Sequence, residues 1–273
     1  MAFRHAVLAA ALALAPLPAF LADAAWAADA ALVAAAAPGH REAANAARDQ
    51  YRHPVESLEF WGLKPGMTVI EVAPGGGYWS EILAPYAKAT NGRYIAAMGN
   101  AGQTLPAKFN DTATYGTIGY TVFSNSSGPM TSGSSGGADF ILTARNIHDW
   151  MWTPGFAEKS MKDFHAALKP GGILAVEEHR ADPRPMVPEA RDGYVSTQHI
   201  IDLATAAGFK LEARSEINAN PKDTKDHPFG VWTLPPTRRS AQPPAPANPN
   251  FDHAKYDAIG ESDRMTLRFR KPG

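Results

Sequence analysis

The sequence predicts an α/β fold, a doubly wound sheet with helices on both faces. Three observations predict it. Apolar runs alternate with helical patterns from Thr68 to the end of the chain, which is the signature of a parallel sheet covered on both sides. The first run, in "TVIEVAPGGGYWSEILAPY" (68–86), stops at three glycines and passes directly into an aromatic, helix-like segment. And 273 residues, 45% of them hydrophobic, suffice for one sizeable core.

The elements follow in order. Residues 28–53 are an alanine-rich tail or leading helix ending in "RDQYRHP", whose Arg48, Tyr51 and Arg52 read as solvated or capping residues, although they could close over a neighbouring mouth. "HPVESLEFWG" is a short helix, with Pro54 in its first turn and Gly62 at its end. Strands are expected at 68–72, 93–98, 120–123, 138–144, 173–179, 209–217 and 263–271. "FAEKSMKDFHAAL" (156–168) and "STQHIIDLATAAG" (196–208) have helical spacing, the second with Ser196 as cap and Gly208 as stop. "SNSSGPMTSGSSGG" (124–137) and the six-proline "PPTRRSAQPPAPANPN" (235–250) are loops by composition, the latter inside an insertion at about 219–262.

The leader "MAFRHAVLAAALALAPLPAFLADAAWA" has basic residues at its start, an Ala/Leu-rich run and Ala25-Trp26-Ala27 as a small-x-small site. It reads as a signal peptide, residues 1–27, giving a periplasmic or secreted protein. Pro16, Pro18 and Asp23 interrupt the run, so stable membrane insertion after cleavage is not expected. A net charge of −1 gives no reason to expect nucleic acid as partner, and a chain without cysteine has no disulfide, thiolate metal site or cysteine nucleophile.

In doubly wound sheets, ligands bind beyond the carboxyl ends of the strands, where a loop without side chains lets them approach the backbone. Gly75, Gly76 and Gly77 therefore face a small molecule, or else form only a tight strand–helix turn. A nicotinamide dinucleotide site fits poorly, because Ser80 replaces the third glycine of its motif and Met98 stands where an acid would end the second strand.

"VIEVAPGGG" followed by "LKPGG" before strand five resembles the class I S-adenosylmethionine-dependent methyltransferases, over about Val55 to Lys271. The longer match, "HPVESLEFWGLKPGMTVIEVAPGGGYWSEILAPY" with "NIHDW", is similar to bacterial members with signal peptides. The resemblance implies a Rossmann-like seven-stranded sheet of order 3-2-1-4-5-7-6 with strand 7 antiparallel. It implies S-adenosyl-L-methionine as cofactor and a small-molecule acceptor. It assigns Glu71 to the amino-acid end of the cofactor, and Ala73, Gly75, Gly76 and Gly77 to the loop, with Ala73 in place of the first glycine. Asn146 lies in the region that closes over the methionine part, and Asn100 is left to hydrogen-bond a ribose hydroxyl, since Met98 replaces the family's acid. The departures keep a second reading open, a binding protein that retains the fold without turnover.

"TARNIHDWMW" follows strand four at the edge where an acceptor would lie. His148 is the candidate catalytic base, because an imidazole titrates near neutral pH. Asp149 is expected to cap the next helix, and Trp150 and Trp152 to form an apolar wall or pack in the core. "VEEHR" ends strand five. Alternation sends Glu178 away from Glu177 and His179, so the three do not face one pocket, and His179 is a rim residue. With His148 and His199 they offer metal-ligand chemistry, but none has tight ligand spacing and no metal is expected.

Overall fold

A computed structural model describes residues 29–130, 137–183 and 185–273. The signal peptide expected at 1–27 and residues 131–136 of the Ser/Gly-rich loop lie outside the described residues.

The elements run α1 (Ala30–Ala36), α2 (Ala43–Ala46), α3 (Asp49–Arg52), α4 (Pro54–Trp61), β1 (Thr68–Val72), α5 (Ser80–Ala89), β2 (Arg93–Met98), α6 (Thr112–Tyr115) and β3 (Gly119–Val122). They continue with β4 (Ala138–Ala144), α7 (Ile147–Trp150), α8 (Phe156–Ala167), β5 (Leu168–His179), α9 (Thr197–Ala206), β6 (Lys210–Ser215), α10 (Ala254–Ile259) and β7 (Arg264–Arg270). The sheet has the order β3-β2-β1-β4-β5-β7-β6. β7 pairs antiparallel with both β5 and β6, while β1 to β5 are parallel, as the sequence predicts. β5 begins before the expected start, because Leu168 already pairs with Ala138 across an irregularity in the ladder.

Alternation along the strands divides the core between the two faces. Ile70 and Val72 of β1 join Ile141, Phe164 and Leu174 on one side. Val69 joins Leu58, Trp61, Ile82 and Phe140 on the other. Glu71 therefore points to the α5 side. Met98 at the end of β2 is 5% exposed and packs into that second cluster.

Residues 29–53 pack on the body. Asp29 caps α1 and accepts from the Tyr86 hydroxyl at 2.7 Å, while Leu32 and Ala35 are buried. Among the described residues, no helix is long and apolar enough to cross a membrane.

Candidate functional site

Two cavities open at the carboxyl ends of the central strands, and Arg145 borders both. The first, about 130 Å³, lies against the glycine loop, with Glu71, Ala73, Gly75, Gly76 and Asn146 in its wall. The second, about 120 Å³, is bordered by His148, Asp149, His179, Trp232 and Pro235.

The glycines have separate roles. A Cβ on Gly75 or Gly76 would meet nothing within 4 Å, so both leave open space over the backbone. A Cβ on Gly77 would lie 2.7 Å from the Phe109 ring, and its φ of +86° disfavours a side chain. Gly77 is thus required by packing and is absent from the cavity wall, contrary to the expectation that all three glycines face a ligand. Asn100 is also away from the wall. It is exposed beyond β2 and donates to Gln103 at 3.3 Å.

Glu71 is buried at the base of the first cavity, where its Oε2 accepts from Ser80 Oγ at 2.8 Å and Tyr94 Oη at 2.5 Å. Burial pushes its carboxyl up to about 7, more than these two hydrogen bonds lower it. Asn146 donates to the Val72 carbonyl at 3.0 Å and ties the end of β1 to the turn after β4.

Asp149 does not cap the next helix. It lies within α7, and the N-cap of α8 is Gly155. Trp150 is core, 7% exposed. Trp152 is exposed, with its ring 5.6 Å from that of Trp232.

Alternation keeps Glu178 away from Glu177, as expected, but not from His179. Its Oε2 accepts from the backbone N–H of Ile147 at 2.7 Å, and its Oε1 lies 2.9 Å from His148 Nδ1. It also accepts from the His179 backbone N–H at 2.9 Å. At the end of β5 the next layer is the start of α7, and a glutamate is long enough to reach its free N–H groups. Burial opposes charge on His148, but Glu178 and then Asp149 outweigh it, and the His148 pKa is raised. Next to it, burial and the charge of His148 push His179 well below the ordinary range. His148, Glu178 and His179 have ligand-type atoms all within 4.8 Å of one another, and His199 is not among them. Each of the three side chains already makes an internal hydrogen bond, including His179 Nδ1 to Ser262 Oγ at 2.5 Å.

Glu177 takes the opposite face and pairs with Arg264 at 2.7 Å. Arg264 also binds Glu261 at 2.9 Å, and Glu261 holds Arg48 at 2.5 Å and Arg52 at 2.9 Å. Arg48 and Arg52 so reach the first cavity from the N-terminal helical segment. The sequence reading set these arginines aside. Their partner is 213 and 209 residues away, and only a charge run before α4 hinted at them.

No protein-family model matches the chain. No curated protein is similar to it in sequence. In three dimensions it is similar to the [4+2]-cyclase SpnF, with 14% identity, 80% of this chain and 78% of that one covered, and a TM-score of 0.50. It is similar to an S-adenosylmethionine-dependent methyltransferase from Mesorhizobium loti, with 12% identity, 85% and 100% covered, and a TM-score of 0.49. It is also similar to the 1,6-didemethyltoxoflavin-N1-methyltransferase of Burkholderia thailandensis, solved with bound 1,6-didemethyltoxoflavin and S-adenosylhomocysteine. There the identity is 12%, the coverage 85% and 80%, and the TM-score 0.48. At these identities the likeness is one of fold, the Rossmann-like methyltransferase fold, and a fold hosts more than one chemistry.

Proposed function

We propose that the chain is an exported S-adenosylmethionine-dependent methyltransferase acting on a small-molecule acceptor. The observation that carries this reading is the pair of adjoining cavities, one against a glycine loop and one beside a carboxylate-bound histidine, with Arg145 common to both. The open space over Gly75 and Gly76 fits a ligand that approaches the backbone closely. Glu71, Ala73 and Asn146 border the same space and would hold the amino-acid end of the cofactor. When bound, S-adenosylmethionine supplies an electrophilic methyl group on a sulfonium. The basic and apolar leader with Ala25-Trp26-Ala27 supports export.

The chain's own residues then have two tasks. The second cavity positions the acceptor, with Trp232 as an apolar wall. Engineered cavities of about 150 Å³ hold a benzene ring, so one of about 120 Å³ buries about one ring or an equivalent part of an acceptor. His148 deals with the proton. Its Nδ1–H donates to Glu178, which leaves Nε2 as the acceptor for the proton of an acceptor hydroxyl. Because the pKa of His148 is raised, the competent neutral ring gains population as pH rises.

The test is to incubate the purified mature protein with methyl-labelled S-adenosylmethionine and a small-molecule extract of the native periplasm. Label transferred to a small molecule, and lost with His148→Ala, supports the reading. Saturable cofactor binding without any transferred label would identify a binding protein, and no binding at all would overturn the reading.

A further inference from the structure

Arg145 is the first residue after β4. Its backbone is left-handed, with φ +60°, and its N–H donates to the Glu177 carbonyl at 2.8 Å. Its side chain borders both cavities, yet among the described residues it makes no hydrogen bond or ion pair, and its Nε is buried without a partner. The first cavity also meets Arg48, Arg52 and Trp79, whose Nη2, Nη2 and Nε1 atoms are likewise buried without partners. Both carboxylate oxygens of Glu177 are also buried without a hydrogen bond, but Glu177 does not line this cavity, and four unpartnered donors around one small space call for an explanation, because a buried donor left unmade is costly.

Charge points the same way. Arg48, Arg52, Arg145 and Arg264 surround Glu261 and Glu177, so four positive charges face two negative ones. Glu71, the carboxyl that lines the cavity itself, is pushed up to about 7 and so is only partly ionised at neutral pH. Arg52 is brought down to about 9, chiefly by burial and then by Arg145, although Glu261 opposes this. Buried charge persists where it is paired, and here the protein supplies fewer anions than cations.

We infer that the glycine-loop cavity is an anion site in which Arg145, with Arg48 and Arg52 brought in by the N-terminal helices, receives a carboxylate. The planar fork of a guanidinium matches a carboxylate through paired hydrogen bonds. This rests on the cofactor reading for the source of the carboxylate, the amino-acid end of S-adenosylmethionine. It makes residues 29–53 part of the site. The same chemistry would accept a free inorganic anion, and the experiment separates the two sources.

Calorimetric titrations would compare S-adenosylhomocysteine with 5′-methylthioadenosine, which lacks the amino-acid end, on wild type, Arg145→Gln and Arg145→Lys. Arg145→Gln should weaken S-adenosylhomocysteine about 10–100-fold, the range of a lost charge-assisted pair. It should leave methylthioadenosine within about twofold, and Arg145→Lys should recover part of the loss. Equal weakening of both ligands, or no change in either, would overturn the inference while the cofactor reading stands. If wild type binds neither ligand, melting temperature is measured in sodium sulfate against sodium chloride at matched ionic strength. A sulfate-specific rise that Arg145→Gln abolishes would then uphold the anion site and reject the cofactor. A rise that persists in Arg145→Gln, or no rise, would reject the anion site. Arg48→Gln repeats each comparison should Arg145→Gln fail to fold.

Discussion

His148 Nδ1 lies 2.9 Å from Glu178 Oε1, and the other oxygen of that carboxylate accepts from the Ile147 N–H at the start of the same short helix. One buried acid therefore fixes both the tautomer of the imidazole and the place of the turn that carries it. Glu178→Gln keeps the backbone acceptor and removes the charge. NMR titration of His148 should show its pKa falling toward the ordinary histidine value or below, since only the charge of Asp149 is then left to oppose burial. The acidic limb of the pH–rate profile should move down by the same amount. An unmoved titration would separate Glu178 from the control of His148.

The same pair sets a stability dependence on pH. The folded pKa of His148 is raised, so its contribution is complete below the unfolded value of about 6.5 and is lost as pH rises through the folded value. His179 has the opposite sign, because its folded pKa is depressed and the unfolded state takes up the proton first as pH falls. Denaturant melts across this range should show His148→Ala losing the alkaline dependence, with turnover about 10²–10⁴-fold lower if His148 is the base. Cofactor affinity should stay near that of wild type.

Glu261 anchors Arg48, Arg52 and Arg264 together at 3% exposure. Burial raises its carboxyl, but the four surrounding arginines outweigh it and hold it well below the usual range. Glu261→Gln leaves buried guanidiniums unpaired, and urea unfolding should show a loss of about 3–5 kcal/mol. Glu261 stabilises above its unfolded pKa, and that contribution is lost as pH falls. The variant should therefore lose part of the wild-type acid dependence. A loss under about 0.5 kcal/mol, the range of an ordinary surface change, would show that the N-terminal segment is not held this way.

Neighbouring glycines of the loop should respond differently. Gly77→Ala meets Phe109 at 2.7 Å with φ +86°, and thermal melting should show a loss of about 1–3 kcal/mol. Gly76→Ala meets nothing and should stay within about 0.5 kcal/mol. Equal losses would mean that Gly76 is also a packing glycine.

The strands were legible because each is an apolar run with a turn signal at its end, as in "TVIEVAPGGG". The strand order came with the family resemblance, and the sheet has it. Glu71, Ala73, Gly75, Gly76 and Asn146 are local to two strand ends, and the structure brings them to one cavity. Gly77 and Asn100 do not join them, because Phe109 packs under the one and the chain turns outward at the other. Alternation parted Glu178 from Glu177 correctly but missed its meeting with His148 and His179, because alternation describes a strand between neighbours, whereas β5 ends against the N-terminus of α7. Arg145 and the arginines before α4 carry no motif. The role of Arg48 and Arg52 depends on Glu261, brought from the far end of the chain.

Calorimetric titration of the mature protein with S-adenosylhomocysteine, beside Gly76→Leu, tests most directly whether the glycine-loop cavity is the cofactor site. The account predicts saturable one-to-one binding to wild type and none to Gly76→Leu, with both proteins melting at similar temperatures, because the space over Gly76 is open to a side chain as well as to a ligand. Equal binding to both proteins, or no binding to wild type at millimolar ligand, would contradict it.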